Sequence, residues 1–142
     1  MKDFKVLVVD DEKDFLEMTI KRMQKKNIRC EGVEGGEEAI EKIKGGKFDV
    51  VLLDVKMPGM DGVETLREIK QIKPLTEVVM LTGHASVESG IDGMKLGAFD
   101  YLMKPIELDL LLEKLADAYE KKFIQEEKII EAQIKKDLAR PS

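Results

Sequence analysis

The sequence is poor in the residues that build disulfide and zinc scaffolds: one cysteine and one histidine in 142 residues. Cys30 has no partner for an internal disulfide and cannot anchor a Cys-rich zinc site. It sits in a strand pattern and reads as a small inert hydrophobe. His84, without a second histidine or a neighbouring thiol, reads as a loop polar residue rather than a metal ligand. No apolar run approaches the roughly 18 residues of a membrane span. The N-terminal residues reach the acidic pair Asp10-Asp11 without an export signal. Basic charge is in deficit, 24 Lys and Arg against 29 Asp and Glu, for a net −5 and a pI near 5.1. That balance argues against direct nucleic acid binding and against an anionic membrane surface. Internal repeats and low-complexity tracts are absent. The expectation is a soluble, cytoplasmic domain.

Hydrophobic residues make up 43% of the chain, enough for a core, and charged residues 37%, which implies long solvated helix faces. Two kinds of segment alternate. Short β-branched or apolar runs lie at Phe4–Val9, Ile28–Val33, Val50–Leu53, Val78–Leu81 and Ala98–Met103. Between them the spacing predicts helices over Lys13–Lys26, Gly36–Lys44, Gly62–Ile72 and Val87–Leu96, with a last one from Glu107 to about Ala139. In the first helix Phe15, Met18 with Thr19, Arg22 and Met23 mark the expected inward stripe. Strand–helix alternation implies parallel strands, right-handed crossovers and helices on both faces of one sheet: an α/β, doubly wound, five-stranded fold. VLVV and VVLL are apolar throughout, as strands covered on both sides should be.

Polar residues of chemical interest follow four of the five strand runs: Asp10-Asp11, Asp54, Thr82 and Lys104-Pro105. In a parallel sheet these ends share one rim, the edge where open α/β sheets bind ligands. Asp10, Asp11 and Asp54 would stand together with Lys104 as the local cation. At ~4 Å and an effective dielectric near 20, each like-charged pair costs about 4 kcal/mol. Such a cluster must protonate, spread or bind a divalent cation, and hard carboxylate oxygens suit Mg²⁺ or Mn²⁺. The plainer reading makes Asp10 or Asp11 the N-cap of the helix from Lys13. Asp54 resists it, because an ionisable group directly after VVLL needs partners at a buried rim.

Taken together, VLVVDDE, DVVLLDVKMPGMDG, VVMLTGHA and GAFDYLMKP resemble the receiver domains of two-component response regulators, over about residues 4–122. Thr82 with His84, and GAFDYL, are similar to the nitrogen-regulation branch. The resemblance implies strand order 2-1-3-4-5, Asp54 as phosphoacceptor and a cis Lys104–Pro105 peptide. It implies Mg²⁺ held by Asp11 and Asp54, by Asp10 largely through water, and by the backbone carbonyl of Lys56. Thr82 and Lys104 match the groups that engage the phosphoryl oxygens, and Thr82 with Tyr101 the conformational switch; packing alone would otherwise account for Tyr101. A sensor histidine kinase or phosphotransfer protein is the implied donor, with a downstream effector protein as target. On this reading the chain is a phosphorylation-switched signalling domain, not an enzyme.

Two rivals from other classes are weaker. An aspartate-nucleophile phosphatase carries its nucleophile after the first strand in a D-x-D pattern, where this chain reads Asp10-Asp11-Glu12. A flavodoxin-like cofactor binder needs a phosphate-cradling loop there, and none is present. A receiver-shaped interaction module that is never phosphorylated is the third alternative. The division expected is a receiver over 1–122 and a charged helical extension over 123–142. In that extension Phe123, Ile130, Ile134 and Leu138 share a stripe, and Glu131 with Lys135 forms an i,i+4 pair. The stripe is either a solvated helix face or the contact of a homodimer through the C-terminal helix.

Overall fold

The computed structural model describes residues 3–83 and 86–139; His84 lies outside the described residues. Five strands alternate with five helices: β1 (Lys5–Val9), α1 (Lys13–Lys25), β2 (Arg29–Val33), α2 (Gly36–Gly45), β3 (Val50–Leu53), α3 (Gly62–Ile72), β4 (Glu77–Thr82), α4 (Val87–Lys95), β5 (Asp100–Met103) and α5 (Leu108–Leu138). Every pairing is parallel and the order is β2-β1-β3-β4-β5, as the alternation and the resemblance imply. The Lys104–Pro105 peptide is cis.

Alternation within the apolar strands divides the core in two. Leu7, Val9, Val51, Leu53, Val78 and Met80 point to the face covered by α2 and α3 through Ala39, Ile40, Ile43, Leu66 and Ile69. Val6, Val8, Val50, Leu52, Val79 and Leu81 point to the opposite face, under Leu16 and Met23 of α1 and Leu111, Leu112, Leu115 and Ala118 of α5. Each large side chain fully buried here contributes roughly 1.5–3 kcal/mol. One expectation is corrected. Met18 and Arg22 of α1 are exposed and Phe15 only half-buried, whereas Leu16, Thr19 and Met23 are buried. The inward face is therefore rotated from the expected stripe, with Thr19 and Met23 common to both and Leu16 in place of Phe15, Met18 and Arg22. Leu16 fits into the space left by Gly32 on β2, where an added Cβ would stand 2.9 Å from its Cδ1.

Helix α5 runs unbroken for 31 residues, but its buried residues end at Ala118. Where it leaves the sheet, Tyr119 stacks on Phe4 with ring centroids 5.0 Å apart. Lys122 bonds Asp49 at 2.9 Å and Glu126 at 3.1 Å. Beyond that anchor Ile130 and Ile134 are each 53% exposed and Leu138 81%, and the Glu131–Lys135 pair forms at 3.0 Å. Among the described residues no helix is long and apolar enough to cross a membrane.

Candidate phosphoacceptor and metal site

The ladder of the parallel sheet brings the strand ends together. The Asp54 N–H donates to the Val9 carbonyl at 2.9 Å, which sets Asp54 beside Asp10 at the ends of β3 and β1. The Lys104 N–H donates to the Thr82 carbonyl at 2.9 Å, aligning the ends of β5 and β4 in the same way. Asp10, Asp54 and Thr82 are all buried. After β3 the loop folds back so tightly that the Gly62 N–H reaches the Val55 carbonyl at 2.7 Å. Asp61 then caps α3, its side chain accepting from the Glu64 N–H at 2.9 Å. A Cβ at Gly62 would collide with the Asp54 carbonyl oxygen and lie 2.6 Å from the Val55 Cα, so this close return of the chain requires glycine.

Carboxylate oxygens of Asp10, Glu12 and Asp54 all lie within 4.8 Å of one another. Asp11 is exposed and outside this group, and Glu12, which sequence reasoning did not single out, is in it. The physical reason is local. Asp10 Oδ1 accepts the Glu12 N–H at 2.8 Å, and this tight turn draws Glu12 back over the rim. The N-cap position of α1 is Glu12 itself, and its side chain makes no capping bond. The only sequence signal for Glu12 was its place after the acidic pair.

The electrostatics are those of crowded charge. Burial pushes the Asp54 carboxyl above its ordinary range, and the neighbouring Asp10 charge adds to the rise; a hydrogen bond from Thr82, the Lys104 charge and the Val55 N–H act against it. Asp10 is also raised, chiefly by burial, despite the Lys104 ammonium 2.6 Å from its Oδ2. For Lys104 burial disfavours the ammonium, but the Asp10 bond and the surrounding carboxylates outweigh it and lift the pKa. Lys104 also bonds Glu12 at 3.2 Å and stands 4.0 Å above the Phe15 ring. Asp54 Oδ1 is buried with no hydrogen-bond partner among the described residues.

That orphaned oxygen tests the fit to a metal. Two oxygens on one Mg²⁺ stand about 3–4 Å apart, given ~2.1 Å bonds, so Asp10, Asp54 and Glu12 need move little to share an ion or its waters. All donors are hard oxygens, and the cluster matches a divalent-metal site of the Mg²⁺ type. Farther along the rim, Tyr101 is half-buried and its hydroxyl accepts the Ser86 N–H at 3.2 Å. The Lys56 side chain is exposed, in the loop after Asp54.

The chain belongs to the response regulator receiver domain family, whose model matches residues 6–116. It is 37% identical over 113 residues to the transcriptional regulatory protein ZraR of Klebsiella oxytoca, covering 80% of this chain and 26% of that protein. It is 34% identical over 118 residues to the DNA-binding transcriptional regulator NtrC of Escherichia coli K12, covering 81% of this chain and 25% of the relative. The chain thus spans about a quarter of the length of these relatives. A CheY-like receiver domain from Methanospirillum hungatei JF-1 superposes with a TM-score of 0.84 at 29% identity, over 87% of this chain and 99% of that one. A Burkholderia pseudomallei response regulator solved with a phosphorylated aspartic acid and a calcium ion superposes with a TM-score of 0.76 at 25% identity, over 91% and 75%. Receiver fold, family and acidic metal cluster together define a signalling module of phosphoaspartate and Mg²⁺ chemistry, not an enzyme with a separate substrate.

Proposed function

We propose that Asp54 is the phosphoacceptor, taking a phosphoryl group from the phosphohistidine of a sensor histidine kinase or phosphotransfer protein. The carrying observation is Asp54 Oδ1, buried and without a hydrogen-bond partner among the described residues, beside a second carboxylate at the rim where Thr82 and Lys104 converge. A carboxylate oxygen of Asp54 attacks phosphorus, the phosphorus–nitrogen bond to the donor imidazole breaks, and the ring nitrogen keeps the electron pair. Asp11, Asp54 and the Lys56 carbonyl would hold Mg²⁺, with Asp10 acting largely through water. The ion supplies neutralisation of the incoming phosphoryl charge. Asp11 is exposed next to Asp10, and its part in holding the ion rests on the family resemblance. Lys104 neutralises and orients a phosphoryl oxygen.

Thr82 donates to the new oxygens and couples the site to Tyr101. A charge-assisted hydrogen bond contributes about 1.5–3 kcal/mol, whereas moving an equilibrium from 1:99 to 99:1 takes about 5.5 kcal/mol. Lys104 and the metal therefore share the switch. Its readout is the α4–β5 face, where Tyr101 meets the exposed apolar Val87, Ile91, Met94 and Met103. An effector protein of the transcriptional class to which the relatives belong is the target, and the location is cytoplasmic. Residues 1–122 form the receiver and 123–142 an extension that pairs two copies through Ile130, Ile134 and Leu138.

The test is intact mass after treatment with an acyl phosphate and Mg²⁺. One added phosphoryl group in the parent and none in Asp54→Asn is the expected result; labelling retained in the variant refutes the assignment.

A further inference from the structure

Lys104 does not point its hydrogen bonds at Asp54. Its ammonium is held 2.6 Å from Asp10 Oδ2 and 3.2 Å from Glu12 Oε1, and it lies 4.0 Å above the centre of the Phe15 ring. Asp54 acts on it as a nearby charge, while Asp54 Oδ1 has no hydrogen-bond partner among the described residues. The three groups around Lys104 come from one short stretch, the turn from β1 into α1. The Glu12 N–H, donating to the Asp10 side-chain Oδ1 at 2.8 Å, fixes Glu12 over the rim, and the third residue of α1, Phe15, lies beneath the ammonium. An aromatic face under an ammonium and two carboxylate oxygens beside it make a built resting place for the cation.

We propose that Glu12 is a positioning residue that, with Phe15, parks Lys104 on the Asp10 side of the site in the unphosphorylated protein. Resting on the reading of Asp54 as phosphoacceptor, the consequence is specific. The ammonium must leave Glu12 and the Phe15 ring to reach an oxygen of the phosphoryl group on Asp54. The cradle therefore favours the unphosphorylated state. Because the Glu12 side chain is 57% exposed, its ion pair belongs to the class whose loss changes an equilibrium by a factor of about 1.4 to 5.

The experiment compares the parent with Glu12→Gln, Phe15→Leu and Asp14→Asn in the full chain. The first readout is the Lys104 side-chain ¹³Cε resonance in the unphosphorylated protein, which does not depend on any phosphodonor. The second is the rate of mass gain with an acyl phosphate and Mg²⁺. Glu12→Gln and Phe15→Leu should each move the Lys104 resonance and speed phosphorylation by about 1.4- to 5-fold. Asp14→Asn removes the same charge from the start of α1 outside the cradle and should move neither. An unmoved Lys104 resonance in Glu12→Gln overturns the proposal. So does acceleration by Glu12→Gln matched by Asp14→Asn and absent from Phe15→Leu, since that pattern is general charge repulsion. A parent protein that gains no phosphoryl group at Asp54 would instead refute the function while the resonance still tests the cradle.

Discussion

Asparagine in place of Asp54 should raise the stability of the metal-free protein. The carboxylate is buried, one of its oxygens lacks a partner among the described residues, and a carboxylate oxygen of Asp10 stands within 4.8 Å. At that distance and an effective dielectric near 20, the repulsion is about 3–4 kcal/mol before Lys104 offsets part of it. An asparagine keeps the acceptor for Thr82 and Val55 and offers Asp10 an N–H instead of a charge. With the buried unsatisfied charge removed, the gain should be about 1–3 kcal/mol. For a chain of this size that is several degrees in Tm, at about 3 °C per kcal/mol. The pH dependence follows from the upward shift of the Asp54 carboxyl. An acid raised by folding destabilises the fold in its ionised form, so the penalty is full above the folded pKa. It fades as pH falls and is gone below the unfolded value of about 3.9. The advantage of Asp54→Asn should therefore be largest near neutrality and shrink on acidification. Thermal melts of both proteins in chelator across pH 4–8 measure it. A variant less stable than the parent, or a gap that widens toward acid, refutes the reasoning.

Mg²⁺ should stabilise the parent by about 2.7 kcal/mol at 100 times its dissociation constant if it binds only the native state. Asp11→Asn should lose that shift in a thermal melt, and a persisting shift would place the ion on Asp10, Glu12 and Asp54 without Asp11. Gly62→Ala should destabilise by about 1–3 kcal/mol, because the new methyl meets the backbone of Asp54 and Val55; denaturant unfolding checks it. The full chain should sediment as a weak or phosphorylation-dependent dimer and a chain ending at Lys122 as a monomer. Identical monomer behaviour of both, with and without phosphodonor, would show that Ile130, Ile134 and Leu138 are simply solvated.

Much of the architecture was legible because its determinants are local. The runs Val50–Leu53 and Gly62–Ile72 were bounded by Asp and Gly signals and coincide with β3 and α3. The other elements end within two residues of expectation, the widest difference being β5, which begins at Asp100 rather than Ala98. Continuous apolarity announced strands buried on both faces, and alternation with helices left a parallel sheet as the solution. Once the sheet is parallel, Asp10, Asp54, Thr82 and Lys104 share a rim by symmetry of direction alone.

Which face of a helix turns inward and which carboxylate turns to the rim were decided by tertiary contacts. Phe15, Met18 and Arg22 fit a helical period with Thr19 and Met23 as well as Leu16 does. The Gly32 gap and the α5 side chains select Leu16 instead. Asp11 and Glu12 are both acids next to Asp10, and nothing in their order separates them. The Asp10–Glu12 turn and the Lys104 ammonium, arriving from 92 residues away, bring Glu12 in and leave Asp11 exposed. Local pattern determines which segments form and where their ends fall, because propensity and periodicity act over a few residues. The orientation of side chains at the site depends on charges and cavities contributed by distant strands, and those exist only after the sheet has closed.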